Sequence, residues 1–170
     1  MLQGASYFTR LDAKNAYMAI PVAKESRPLL AFEVPQTLGN LAGRYQFKAL
    51  PYGYINSGEV YNHAMAQILS PFIGKVAISY VDDTVIYTKG DLKHHLETVE
   101  EVLQHLKQAG VQLKFKKCIF GATSISLLGH TIDKDGIHDI VNSTKLNVTV
   151  LLVTSPMTSR ALFLAFSAFC

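Results

Sequence analysis

Cysteine is scarce in this chain. There are two among 170 residues, Cys118 and Cys170, and no C-x-x-C pair. Neither a zinc site nor a disulfide framework is signalled. The expectation is reduced thiols in an intracellular protein, cytoplasmic or nuclear. Charge is also thin, at 17% against 49% hydrophobic residues, which excludes a disordered chain and supports a packed core. The formal net charge of +3 permits a nucleic-acid partner without demanding one. No basic segment followed by an apolar stretch opens the sequence, so no secretion signal is read. Long hydrophobic runs are missing too. The apolar C-terminal stretch is interrupted by Pro156 and Arg160, and neither half reaches the ~20 residues a membrane helix needs. No membrane partner is expected. Internal repeats and low-complexity segments are absent.

What is there is a mixture of strands and helices. Residues 6–12 read as a strand ending at Asp12, followed by a short turn or helical piece closed by Pro21. Residues 29–34 and 44–49 read as strands around a turn-rich loop, and residues 50–59 as a glycine-containing loop. Ser57 is a candidate N-cap for a helix that ends before Pro71. The spacing predicts a second helix over 91–109, capped by Asp91 and stopped by Gly110. Leu92, Leu96, Val99, Leu103 and Leu106 form its apolar face, and His94, His95 and His105 are assigned to the polar one. Residues 111–120 and 124–133 read as strands, the latter followed by a turn at 133–136. The order implies an α+β fold, with an antiparallel sheet backed by helices.

One stretch raises a chemical question. In "VAISYVDDTVIY", residues 76–87, two aspartates interrupt an apolar, β-branched run. A pair of adjacent buried carboxylates is costly without a positive partner. Asp12 ends another apolar strand, and in an antiparallel sheet the two strands can bring three carboxylates to one edge. Such a cluster would raise the pKa of each member unless cations neutralise it. Oxygen-only ligands suit Mg²⁺, and a pair of such ions supports in-line phosphoryl transfer. From spacing alone an alternative stands level: Asp12 caps one turn, and Asp82 and Asp83 form another. A metal-dependent hydrolase is a further alternative.

"YVDD" at 80–83 resembles the signature box of reverse transcriptases, and companion motifs follow in family order. "TRLDAKNAYMAIPVAKESRPLLAFEVP" resembles the motif of the first catalytic aspartate in gypsy-like LTR retrotransposons and retroviruses. "FKALPYGYINSGEVYNHAM" is similar to the Leu-Pro-aromatic-Gly loop and its helix. "LKQAGVQLKFKKCIFG" and "LLGHTIDKDGI" resemble the lysine-cysteine segment and the primer-grip strand pair. The resemblance implies a polymerase palm with partial fingers over residues 1–138, and a degenerate thumb- or connection-like start over 139–170. It implies RNA-directed addition of deoxynucleotides to a primer 3′ end. The partners would be a primed RNA or DNA template and dNTPs. The cofactor would be two Mg²⁺ ions, with Mn²⁺ as a substitute. The alternative is a retroelement remnant that only binds nucleic acid.

Site residues follow from the same resemblance. Asp12, Asp82 and Asp83 would hold the metals, with Ala13 beside them and Asp12 and Asp82 as the main ligands. Asn15 and Ala16 would face the triphosphate, and Tyr17 would pack under the sugar and exclude a 2′-hydroxyl. Tyr17 as plain core packing is equally compatible with its setting. Tyr52 and Gly53 would line the nucleotide pocket. Lys117, or Lys116, would donate a proton to the leaving pyrophosphate; otherwise the lysine run is a solvated, phosphate-contacting face. Leu128, Gly129 and His130 would touch the primer, although His130 alone also fits an ordinary surface histidine. The chain departs from usual family residues at Gly58 (proline), Tyr61 (phenylalanine) and Asn62 (glutamine), which reads as drift. With only eleven residues before Asp12, basic fingers residues are missing from the sequence. The expectation is surviving carboxylates in a fragment that polymerises poorly.

Overall fold

The structure is a computed structural model and describes residues 2 and 4–139. The thumb-like segment expected over 139–170 lies outside the described residues beyond Asp139.

The central sheet is antiparallel throughout and consists, in spatial order, of β4 (Ala77–Tyr80), β5 (Asp83–Thr88), β1 (Tyr7–Asp12) and β6 (Ile119–Ala122). A separate ribbon pairs β2 (Ala31–Val34) with β3 (Gly43–Gln46). A third sheet follows β6, made of β7 (Ser124–Leu127), β8 (His130–Asp133) and β9 (Gly136–Asp139). The helices are α1 (Ser57–Ile68) and α2 (Leu92–Gln108).

Strand alternation explains the layering. On β1, Leu11 faces the helices and packs with Tyr61, Met65, Val99, Leu103 and Leu106. Phe8, one pleat out of phase, packs on the other face with Ile125, Leu127 and Ile132 of the third sheet. The same alternation on β5 sends Ile86 to the helices and Val85 and Tyr87 to the third sheet. The central sheet is therefore covered on both faces, which is why its strands are apolar on both sides.

Four expectations need correction. His95 is not on the polar face of α2: it is fully buried, with Nε2 2.8 Å from Thr9 Oγ1 and Nδ1 2.9 Å from Thr88 Oγ1. The buried stripe of α2 runs through His95, Thr98, Val99, Val102, Leu103 and Leu106, and Leu92 and Leu96 sit at its margin. Threonine hydroxyls projecting from the sheet make a polar residue acceptable there. Residues 111–120 are not one strand. Leu113 forms a single bridge to Ala13, and Phe115–Lys117 form a 3-10 turn before β6. Residues 124–133 are likewise a hairpin, turned at Leu128 and Gly129 with positive φ at both. At α1, Ser57 lies within the helix and its hydroxyl donates to the Pro51 carbonyl at 2.8 Å, so Asn56 holds the cap position. Asp91 does cap α2, its side chain accepting the His94 N–H at 2.8 Å.

Candidate active site

Two strands deliver carboxylates to one edge of the central sheet. Asp12, at the end of β1, stands opposite Asp83, at the start of β5. Tyr80 of β4 also pairs with Asp83, which leaves Val81 and Asp82 as a two-residue turn. The Asp82 carbonyl accepts the Ala13 N–H at 3.1 Å, tying the turn to the end of β1. Val81 has φ 49°, a left-handed conformation that is costly for a β-branched residue. So tight a hairpin requires positive φ, and Asn62 of α1 steadies it by accepting the Val81 N–H on Oδ1 at 3.0 Å.

The electrostatics are unbalanced in a telling way. Asp12 Oδ1 and Asp82 Oδ1 are buried without a hydrogen-bond donor among the described residues. Burial raises the pKa of Asp82. The Lys114 charge pulls it back, and the neighbouring Asp12 and Asp83 push it up again. Lys114 Nζ lies 3.4 Å from Asp12 Oδ1, and Arg10 Nε 4.0 Å from Asp83 Oδ1. As placed, no three acidic, histidine or cysteine side chains among the described residues converge on a metal position. Asp12 and Asp82 nevertheless present two buried carboxylate oxygens without a hydrogen-bond donor among the described residues, Asp12 Oδ1 facing only the Lys114 ammonium, an acceptor pair that fits a hard divalent cation. Asp83 is turned toward Arg10.

An aromatic group adjoins the acids. Asn15 enters a 3-10 turn, Ala16–Ala19, through a left-handed conformation with φ 55°. Ala16 is buried, and the Tyr17 ring lies 5.2 Å from Tyr52 and 5.6 Å from Tyr61. Tyr52 is exposed, and Gly53 beside it has φ 85°, which favours glycine. The Tyr61 hydroxyl is buried without a hydrogen-bond partner among the described residues. Its pKa is raised by burial first and then by the charges of Asp82 and other neighbours.

The remaining residues singled out from sequence sit on other elements. Lys116 and Lys117 are exposed on the 3-10 turn, and Lys117 acts on Asp82 through its field. Leu128 and Gly129 form the turn between β7 and β8, and His130 opens β8. Arg10 links that sheet to the acids, because its Nη1 donates to the Ser126 carbonyl at 2.9 Å while its Nε faces Asp83. Sequence reasoning missed Arg10, Lys114 and the supporting role of Asn62. Arg10 carried a usable signal, since it sits two residues before Asp12 on the same strand face. Lys114 carried none.

The chain matches the family model of reverse transcriptase (RNA-dependent DNA polymerase) over residues 1–132. It is 32% identical over 132 residues to the retrovirus-related Pol polyprotein from transposon gypsy of Drosophila melanogaster, covering 78% of this chain and 12% of that protein. Against the corresponding polyprotein from transposon opus it is 32% identical over 136 residues, covering 80% and 13%. The chain thus spans a small part of these relatives. Among solved structures, the foamy viral protease-reverse transcriptase in complex with RNA/DNA hybrid matches with a TM-score of 0.70 at 23% identity, over 98% of this chain and 21% of that one. The native prototype foamy virus protease-reverse transcriptase matches with a TM-score of 0.65 at 30% identity, over 78% and 17%. The fold is that of a polymerase palm fragment, and the chain belongs to the reverse transcriptase (RNA-dependent DNA polymerase) family.

Proposed function

We propose that this chain is the palm portion of an RNA-directed DNA polymerase, adding deoxynucleotides to a primer 3′ end on a nucleic-acid template. The observation that carries the proposal is the pair of buried carboxylate oxygens of Asp12 and Asp82 at one sheet edge, neither with a hydrogen-bond donor among the described residues. Asp12 and Asp82 would hold Mg²⁺ or Mn²⁺, with Ala13 beside them and Asp83 completing the acidic edge from its place near Arg10. When bound, a pair of such ions supplies activation of the primer hydroxyl and neutralisation of the triphosphate. The protein's own part is to position and exclude. Asn15 and Ala16 would turn backbone toward the triphosphate. Tyr17, packed between Tyr52 and Tyr61, would stand under the sugar, with Gly53 leaving the pocket floor open. Lys117 would donate a proton toward the leaving pyrophosphate. Leu128, Gly129 and His130 would steady the primer strand, held in register with the acids through Arg10.

The test is primer extension with Mg²⁺ or Mn²⁺ on the full chain. Asp82→Asn is expected to lower incorporation by at least about a hundredfold while leaving template-primer binding within about twofold. Binding without metal-dependent incorporation in the unaltered chain would leave the fold as a nucleic-acid-binding remnant. Incorporation that survives Asp82→Asn would remove these carboxylates from the chemistry.

A further inference from the structure

Asp12 is held by a single short turn on three sides. Its carbonyl accepts the Lys114 N–H at 2.8 Å. Its own N–H points at Cys118 Sγ at 3.4 Å, and that thiol donates to the Lys114 carbonyl at 3.5 Å. The Lys114 ammonium then reaches back to Asp12 Oδ1 at 3.4 Å. Amide, carbonyl and carboxylate of Asp12 all face residues 114–118. Lys114 differs here from its neighbours, because Lys116 and Lys117 are exposed while Lys114 is half-buried against the acids. Asp82 lies within reach of the same charge.

We propose that Lys114 is a positioning residue of the metal centre, the resident counter-charge that lets Asp12 and Asp82 stand together before a divalent ion binds. The inference rests on the metal-binding assignment of those two aspartates. The backbone part of the clamp fixes where Asp12 stands. The ammonium, on a flexible four-carbon stem, is the part that withdraws when a doubly charged ion takes the carboxylates. It therefore competes with the metal and sets the concentration at which the site fills.

The experiment measures Mn²⁺ binding to the full chain, without nucleotide or nucleic acid, by electron paramagnetic resonance. Lys114→Met is expected to bind Mn²⁺ roughly three- to tenfold more tightly than the unaltered chain, because a like charge leaves a partly exposed site. Its melting temperature is expected to fall without metal and to recover when Mn²⁺ is added. Lys116→Met controls for loss of one positive charge and is expected to stay within about twofold. Lys114→Arg keeps the charge but offers a planar fork that grips a carboxylate harder, so Mn²⁺ binding should weaken about threefold or more. That variant decides the matter even if Lys114→Met fails to fold: Mn²⁺ binding by Lys114→Arg equal to or tighter than the unaltered chain overturns the proposal. Lys114→Met binding no tighter, while Asp82→Asn abolishes binding, removes the role of Lys114 and leaves the metal site standing. Equal Mn²⁺ binding by the unaltered chain and Asp82→Asn removes both.

Discussion

Tyr17 shows how a residue's meaning depends on what surrounds it. Its spacing from Asp12 is a sequence property, but a tyrosine in an apolar segment is equally suited to a core. In the structure the ring is half-buried and flanked edge-on by Tyr61 and at a tilt by Tyr52, beside the carboxylates. Under the proposed function, a ring held this way would stand against an extra hydroxyl on a nucleotide sugar. Tyr17→Ala is expected to raise the use of ribonucleotides relative to deoxynucleotides by roughly tenfold or more, since one steric contact of this kind carries about 1–3 kcal/mol of discrimination. Single-nucleotide incorporation with paired dNTP and rNTP substrates reads it. An unchanged ratio would return Tyr17 to core packing.

At the level of elements, the hairpin β4–β5 and the strand β1 were legible because their residues carry local signals. β-branched and aromatic residues flank Asp82 and Asp83, and a strand needs only its own alternation to be recognised. The segment joining α2 to β7 was less legible. Gly121 sits in β6 with φ 59°, where β6 shifts register against β1. Its N–H donates to Thr9 Oγ1 at 3.1 Å. A Cβ added there would lie 3.0 Å from Leu92 Cδ1 of α2. The side chain can yield, but the backbone conformation cannot be relieved. Gly121→Ala is expected to destabilise the fold by about 1–2 kcal/mol, measured as a lower urea midpoint with unchanged slope. No loss would mean that β6 adopts another register.

Across the whole molecule, His95 joins helix layer to sheet. It is enclosed between α2, β1 and β5, with a threonine hydroxyl on each ring nitrogen. Burial first, and the nearby His94 second, lower its pKa from 6.5 to about 4. The unfolded chain takes up this proton near 6.5 and the folded chain resists until about 4. Protons bound are therefore greater in the unfolded state between those limits, and stability falls as pH falls through that window. The histidine accounts for roughly 3 kcal/mol of that loss. Urea unfolding at pH 7 and pH 4.5 measures the slope. His95→Gln, which keeps a donor and an acceptor, is expected to be less stable at pH 7 but to show a clearly shallower decline. An equally steep decline would place the acid sensitivity on other groups.

The sequence alone determined the two helices, the strands around the paired aspartates and the motif order. Periodicity, the Asp91 cap and the flanks of the paired aspartates are local, and local backbone and burial preferences express them directly. Only the tertiary structure decided which polar groups meet. Arg10 reaches Ser126 across 116 residues, Thr9 reaches His95 across 86, and Asp12 meets Cys118 across 106. Such contacts depend on how three layers stack, and stacking is set by the summed burial of many apolar residues rather than by the polar ones it brings together. That is why Asp12 and Asp82 could be named in advance, whereas Lys114, the charge that stands beside them, could not.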